Sequence, residues 1–209
     1  MVRKTKEQAL ATRSALLDAA EHLFQAHGVS RTSLQAIAAA AGVTRGAVYW
    51  HFKDKGELFN AMMERACLPM EQSTAALERD AAAAPLKALQ MHVMSVFTRI
   101  VADRQMQRVF EIAIHKVEYV DELSAVRQRH LARRHDYTAK LARALRAAQK
   151  RGEILPTPGA LRLAIGLYAL IDGLIQNWML DPAAFDLGRV GRRALKVHLA
   201  GLAAAIGTR

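Results

Sequence analysis

The 209-residue chain has one cysteine, Cys67, two tryptophans, five prolines and only 6% aromatic residues. A single cysteine excludes an intramolecular disulfide. The apolar helical surroundings of Cys67, with no pattern that would stabilise a thiolate, argue for a core position rather than a nucleophile. The sequence lacks Gly-x-Ser-x-Gly, Gly-x-x-x-x-Gly-Lys and Gly-x-Gly-x-x-Gly, so the usual marks of acyl transfer, phosphate cradling and dinucleotide binding are missing. No enzymatic reading and no cofactor follow. Alternating apolar and polar residues, the mark of a half-buried strand, do not occur, nor does a repeat of solenoid period. Acidic residues are also scarce, 19 against 30 Lys and Arg, for a formal charge of +11. That balance favours a polyanionic partner and says little about fold. The charged start of the chain has no apolar stretch behind it, and the expected compartment is a reducing bacterial cytoplasm.

What is present is helical periodicity. The hydrophobic content of 52% over this length is enough for a sizeable core. The spacing predicts an all-α fold of about nine helices. Leu16, Ala20, Leu23 and Phe24 define a first helix over 9–27, closed by Gly28. Arg3, Lys4 and Lys6 precede this periodicity and are expected to form an unstructured basic arm. Asp54 and Glu57 cap a fourth helix from Lys55, running to Pro69, with an Ala-rich loop near 75–84. Leu86, Leu89, Val93, Val96, Phe97 and Ile100 stripe a fifth helix, and further helices are expected at 105–118, 122–151, 159–180 and 187–206.

The most informative segment is Thr32–Phe59. Thr32 with Gln35 three residues on makes a capping box, Leu34, Ile37, Ala38 and Ala41 share a face, and Gly42 stops that helix. Thr44 caps the next, with Val43 and Val48 as its hydrophobic staple. This is a helix-turn-helix pattern that leaves Arg45, Tyr49, Trp50 and His51 available to a ligand. Arg45 can bond guanine O6 and N7 together, with Thr44 and Gly46 allowing close approach in a major groove. Residues 1–55, with eight basic and four acidic side chains, form the expected DNA-binding head, and 56–209 the remaining body.

The string Gly42-Val43-Thr44-Arg45-Gly46-Ala47-Val48-Tyr49-Trp50-His51-Phe52-Lys53-Asp54-Lys55, followed by Glu57-Leu58-Phe59, closely resembles the DNA-binding domain of the TetR family of bacterial repressors. It is most similar to the AcrR/TtgR-like branch, whose members control multidrug efflux pumps. Met1–Glu7 and Thr12-Arg13 share that likeness, and it continues in islands at His115–Tyr119, Asp172–Trp178 and Phe185–Leu187. The resemblance implies a homodimer on double-stranded operator DNA, with Tyr49, His51, Lys55 and Thr32 on phosphates. It also implies release by a small, largely apolar or aromatic effector.

Ala160–Leu180 is nearly long enough to cross a bilayer, but it carries Asp172 centrally, and its neighbours are amphipathic and charged. No membrane partner is expected. In the family the last two helices pair between subunits, so Leu163, Leu167, Leu170, Leu174 and Trp178, with Val190, Leu195, Leu199 and Leu202, belong to that seam or to the adjoining core. His130, Arg134 and Tyr137 fall on an apolar stripe with Val126 and Leu141. Arg134 and Asp172 fit either a satisfied internal pair or a ligand-orienting role. The resemblance implies a cavity lined by Val93, Val96, Phe97, Phe110, Ala113, Ile114, Tyr137, Leu141, Tyr168, Ile171, Asp172 and Ile175. Phe110 and Ile114 stand where close relatives often carry polar side chains. The stripe Arg129, Arg133, Lys140, Arg143 and Lys150 reads as a solvated face; the alternative is phosphate contacts to an anionic metabolite such as an acyl-CoA. Glu111, His115 and Glu118 have a spacing that suits a metal, but no second helix supplies a matching Glu-x-x-His. A metal sensor or a helical-bundle enzyme is accordingly the weakest reading.

Overall fold

The computed structural model describes residues 2–118 and 123–204. Among them are α1 (Val2–His27), α2 (Leu34–Ala40), α3 (Arg45–His51), α4 (Lys55–Asp80), α5 (Pro85–Ala102), α6 (Arg104–His115), α7 (Ser124–Lys150), α8 (Ala160–Leu180) and α9 (Leu187–Ala204), with no strand among the described residues. The expected helix start at 122, the helix end at 206 and Tyr119 lie outside the described residues.

The helix expected over 105–118 ends at His115, and two larger differences have physical reasons. The segment proposed as an unstructured arm is the start of α1, because Lys4–Ala11 is rich in good helix formers. The Pro69 signal does not end α4, which continues to Asp80; Ala66 before it and Leu77 after it are both buried, and that packing outweighs one missing backbone donor. The Ala-rich loop therefore shortens to residues 81–84.

The chain divides into two compact units, Met1–Cys67 with Gln105–Leu131, and Leu68–Arg104 with Ala132–Arg209. This is not the 1–55 and 56–209 division expected from the motif. The reason lies in the core of the first unit, where Val109 and Ile112 of α6, with Leu123 and Val126, join Leu16, Phe24, Ile37, Val48 and Phe59. In that unit Glu21 of α1 is 2% exposed. It accepts from Arg65 of α4 at 3.2 Å and from Gln105 and Arg108 of α6 at 3.1 and 2.7 Å.

In the second unit α5 packs on α9 and α8 on α9. Leu163, Leu167, Trp178, Leu195 and Leu199 are buried there, so these seam candidates are core. Leu170, Leu174 and Leu202 are half-buried. Leu161 and Ile165 of α8 and Val190 and Val197 of α9 are exposed apolar side chains. Gly191 is the close-approach point: a Cβ there would lie 2.4 Å from the Phe97 ring. Phe97 is 1% exposed and has no room to yield. Gly191→Ala is expected to cost about 1–3 kcal/mol, seen as a lower urea midpoint with an unchanged slope.

Candidate functional site

The helix-turn-helix forms inside the first unit. Ile37, Ala38 and Val48 are buried, and Leu34, Ala41 and Val43 pack beside them. Gly42 takes φ +67°, the left-handed turn that a residue with a Cβ resists. The Thr44 hydroxyl accepts from the Ala47 N–H at 3.2 Å and starts α3. With Val48 turned inward, Thr44, Arg45, Gly46, Tyr49 and Trp50 face outward, Tyr49 at 49% and Trp50 at 74% exposure. The Arg45 guanidinium lies 5.7 Å from the Tyr49 ring centroid, and Trp50 stands edge-on to His51 at 4.6 Å. His51 is half-buried. Burial and then the Arg13 charge lower its pKa below the usual histidine value, so at neutral pH it offers a neutral N–H rather than a cation.

Two of the expected phosphate contacts occupy other roles. Thr32 is 4% exposed, and its hydroxyl donates to the Gly28 carbonyl at 2.8 Å. The cap of α2 is Ser33, which accepts from the Ala36 N–H at 3.1 Å. Threonine and serine are adjacent and both competent, and the buried turn takes the first. Lys55 is 6% exposed, and its Nζ donates to the Ser30 carbonyl at 3.1 Å, tying the start of α4 to the turn before α2. Beside α3 lies an open cleft of about 440 Å³ whose lining includes Arg31, Ser33, Gln35, Arg45, Tyr49 and Lys53. Arg31, Ser33, Gln35 and Lys53 are exposed donors that the motif reading passed over, because they flank the recognition helix rather than lying on it.

In the second unit, Val93, Val96, Phe97, Leu141, Ile171 and Ile175 are buried, and Tyr137, Tyr168 and Asp172 half-buried. Phe110, Ala113 and Ile114 belong to the first unit, where Ala113 packs on its core. Arg134 is exposed, so it is not part of the buried stripe. The unexpected member is His92, 4% exposed, with Nδ1 2.9 Å from Ser73 Oγ and Nε2 3.0 Å from Tyr137 Oη. Ser73 Oγ also meets Ser95 Oγ at 2.6 Å. The Tyr137 and Tyr168 rings meet edge-on, their centroids 6.2 Å apart, and Tyr168 donates to Asp172 at 3.4 Å. Burial raises the Tyr137 pKa. Burial, the Asp172 charge and the bond to it raise Tyr168 to about 12 against the opposing charge of Arg134. Burial chiefly, with Lys140 adding to it and Ser73 opposing, lowers His92.

On the basic face of α7, Arg129 pairs with Glu64, Arg143 with Glu78, and Lys140 with Asp136 at 2.7 Å. Among the described residues no group of three or more His, Cys, Asp or Glu side chains is placed to hold a metal ion. Glu111 instead accepts from Gln25 at 2.8 Å.

An all-helical chain that holds a capped helix-turn-helix outward on a packed head is a DNA-binding regulator. The chain belongs to the TetR family: residues 16–62 match the bacterial regulatory proteins of that family, and residues 84–202 match the C-terminal region of MAATS-type transcriptional repressors. It is 38% identical over 187 residues to the HTH-type transcriptional regulator TtgR of Pseudomonas putida, covering 90% of this chain and 89% of that one. Among solved structures it resembles NalD, the secondary repressor of the MexAB-OprM multidrug efflux pump in Pseudomonas aeruginosa, at 35% identity and TM-score 0.86, covering 94% and 98% of the two chains. It also resembles SmeT bound to triclosan, at 34% identity and TM-score 0.79, covering 91% of each. The family consists of transcription regulators, and this chain is a repressor of that kind, not an enzyme.

Lys55→Ala is expected to lower thermal stability by about 1 kcal/mol, the typical worth of one hydrogen bond, while the salt dependence of DNA binding keeps its slope. A slope reduced by about one unit would return Lys55 to the phosphate contacts.

Proposed function

We propose that this chain represses a multidrug efflux operon as a homodimer on a pseudo-palindromic operator, and leaves it when a small, largely apolar or aromatic effector binds in the second unit. The observation that carries the DNA half is α3, whose Val48 side is sealed into the core while Arg45, Tyr49 and Trp50 stand exposed. Arg45 reads a base edge; Tyr49 and the neutral His51 bond phosphates, helped by Arg31 and Lys53 at the rim of the cleft. A second copy covers the outward face of Leu161, Ile165, Val190 and Val197. Two heads then fit successive major grooves roughly 34–36 Å apart. Such a regulator works beside the chromosome, in the cytoplasm.

The control half rests on relatives named as efflux-pump repressors and on one of them crystallised with triclosan. It rests equally on the buried apolar side chains of the second unit with a few polar groups among them, a composition that suits a small-molecule site. The ion pairs along α7 neutralise part of the stripe that an anionic metabolite would need, which favours the apolar effector. The continuous α4 runs from the unit that holds the recognition helix into the other. An effector that prefers a shifted α4 favours mis-spaced heads by its differential affinity for the two states.

Arg45→Ala is expected to narrow the affinity gap between operator and random DNA by about 1–3 kcal/mol, read by competition binding. Titrating efflux substrates into free protein and into a preformed protein–operator complex tests the control. Linkage requires operator DNA to weaken effector binding by the factor with which effector weakens DNA binding. Equal affinity for free and DNA-bound protein would leave a constitutive DNA binder.

A further inference from the structure

The recognition helix is fixed at its start by the Gly42 turn and the Thr44 cap, and at its end by Phe52. Phe52 is buried, and its N–H donates to the Val48 carbonyl at 2.8 Å, so its ring anchors the last turn of α3 in the core. α1 reaches this anchor through one side chain. The Arg13 guanidinium lies 5.2 Å from the centre of the Phe52 ring, within cation–π range. The His51 ring adjoins that of Phe52, with 6.2 Å between centres.

Arg13 is half-buried, where its charge is screened less than in open water. It has no acidic partner among the described residues, whereas Arg65, Arg108, Arg129 and Arg143 each face a carboxylate. Other charges near the end of α3 are engaged elsewhere. The Arg45 guanidinium lies by Tyr49, Glu57 accepts from the Lys53 N–H at 2.6 Å, and Asp54 accepts from the Glu57 N–H at 2.7 Å. After burial, Arg13 is the charge that holds His51 below the usual histidine pKa.

We propose that Arg13 is a positioning residue for DNA binding: from α1 it holds the Phe52 ring that ends α3, and so sets how His51 meets a phosphate. This rests on the reading of α3 as the DNA-contacting helix with His51 on a phosphate, and adds a residue outside the helix-turn-helix that governs the contact. Two effects follow from one guanidinium. Its attraction for the ring face ties the last turn of α3 to α1. Its charge opposes a second positive charge on His51, so the imidazole approaches DNA as a neutral N–H donor, which adds affinity without adding to the salt slope.

The test is fluorescence anisotropy of the full-length protein on a mixed-sequence DNA duplex, against salt at about pH 8 and, at fixed salt, from about pH 8 down to about pH 5. Arg13→Gln should bind about two- to fivefold more weakly at the alkaline end, the worth of one cation–π contact, with an unchanged salt slope. Its gain in affinity on acidification should begin at higher pH than in the wild type, because His51 freed of the Arg13 charge takes up its proton earlier. Arg13→Lys should restore both, and Arg13→Met, which drops the charge but keeps an apolar stem over the ring, should repeat the pH displacement even where the glutamine variant fails to fold. In a His51→Gln background the pH profiles with and without Arg13 should coincide. A salt slope lower by about one unit would make Arg13 a phosphate contact itself and overturn the positioning role. Unchanged affinity and pH profile in Arg13→Gln, or a displacement that persists with His51→Gln, would overturn it too, and in each of these cases α3 keeps its assignment. Failure of the wild type to bind the duplex would overturn that assignment, and the role of Arg13 with it.

Discussion

The DNA-binding unit depends on one buried carboxylate. An ionised Glu21 removed from water carries a penalty of several kcal/mol unless donors are arranged around it. They come from Arg65 on α4 and from Gln105 and Arg108 on α6, while Arg65 also holds Asp18 at 2.7 Å. Satisfying that charge of α1 from two other helices fixes the mutual placement of all three more tightly than apolar contact does, because hydrogen bonds tolerate little misdirection. Removing one partner would leave charge in the core, so the arrangement is close to all-or-none.

The recognition helix inherits its position from this clamp. α1 carries Leu16, Ala20 and Phe24 against Ile37 and Val48, so fixing α1 against α4 fixes the surface on which α2 and α3 rest. Lys55 closes the same loop from the other end, its ammonium on the Ser30 carbonyl just before α2. A seven-residue helix is too short to be stable by itself, so α3 owes its existence to this support. Its outward side chains are free for recognition because the inward ones suffice for folding.

What was legible in the sequence were features set by local rules. The Gly42 turn, the Thr44 cap, the Asp54–Glu57 cap and the stripe of α5 require only neighbours within one or two turns of chain. What was illegible depends on distant partners. Thr32 and Ser33 are equivalent as caps until Gly28 claims the first, and Lys55 reads as a phosphate donor until Ser30 takes its ammonium. His92 gave no signal, because Ser73 lies nineteen positions before it and Tyr137 forty-five after. The division into units failed for a related reason: α6 follows α5 in sequence, yet its apolar face completes the core around Phe24.

Both units contain buried polar groups where apolar ones would pack at lower cost, and such breaches of the local rules concentrate where function needs them. The two differ in how they end. The Glu21 network centres on a carboxylate enclosed by the unit, which accepts from Arg65, Gln105 and Arg108, and such a network specifies geometry. The His92 row ends at the half-buried Tyr137, and Tyr168 and Asp172 are likewise half-buried, so polar atoms remain at the edge of a mostly apolar core. Replacing that row by leucine-like side chains would keep an apolar core and discard the polar edge. Polar atoms left at such an edge can take part in recognition, whereas those enclosed around Glu21 act only on the placement of the helices that carry them.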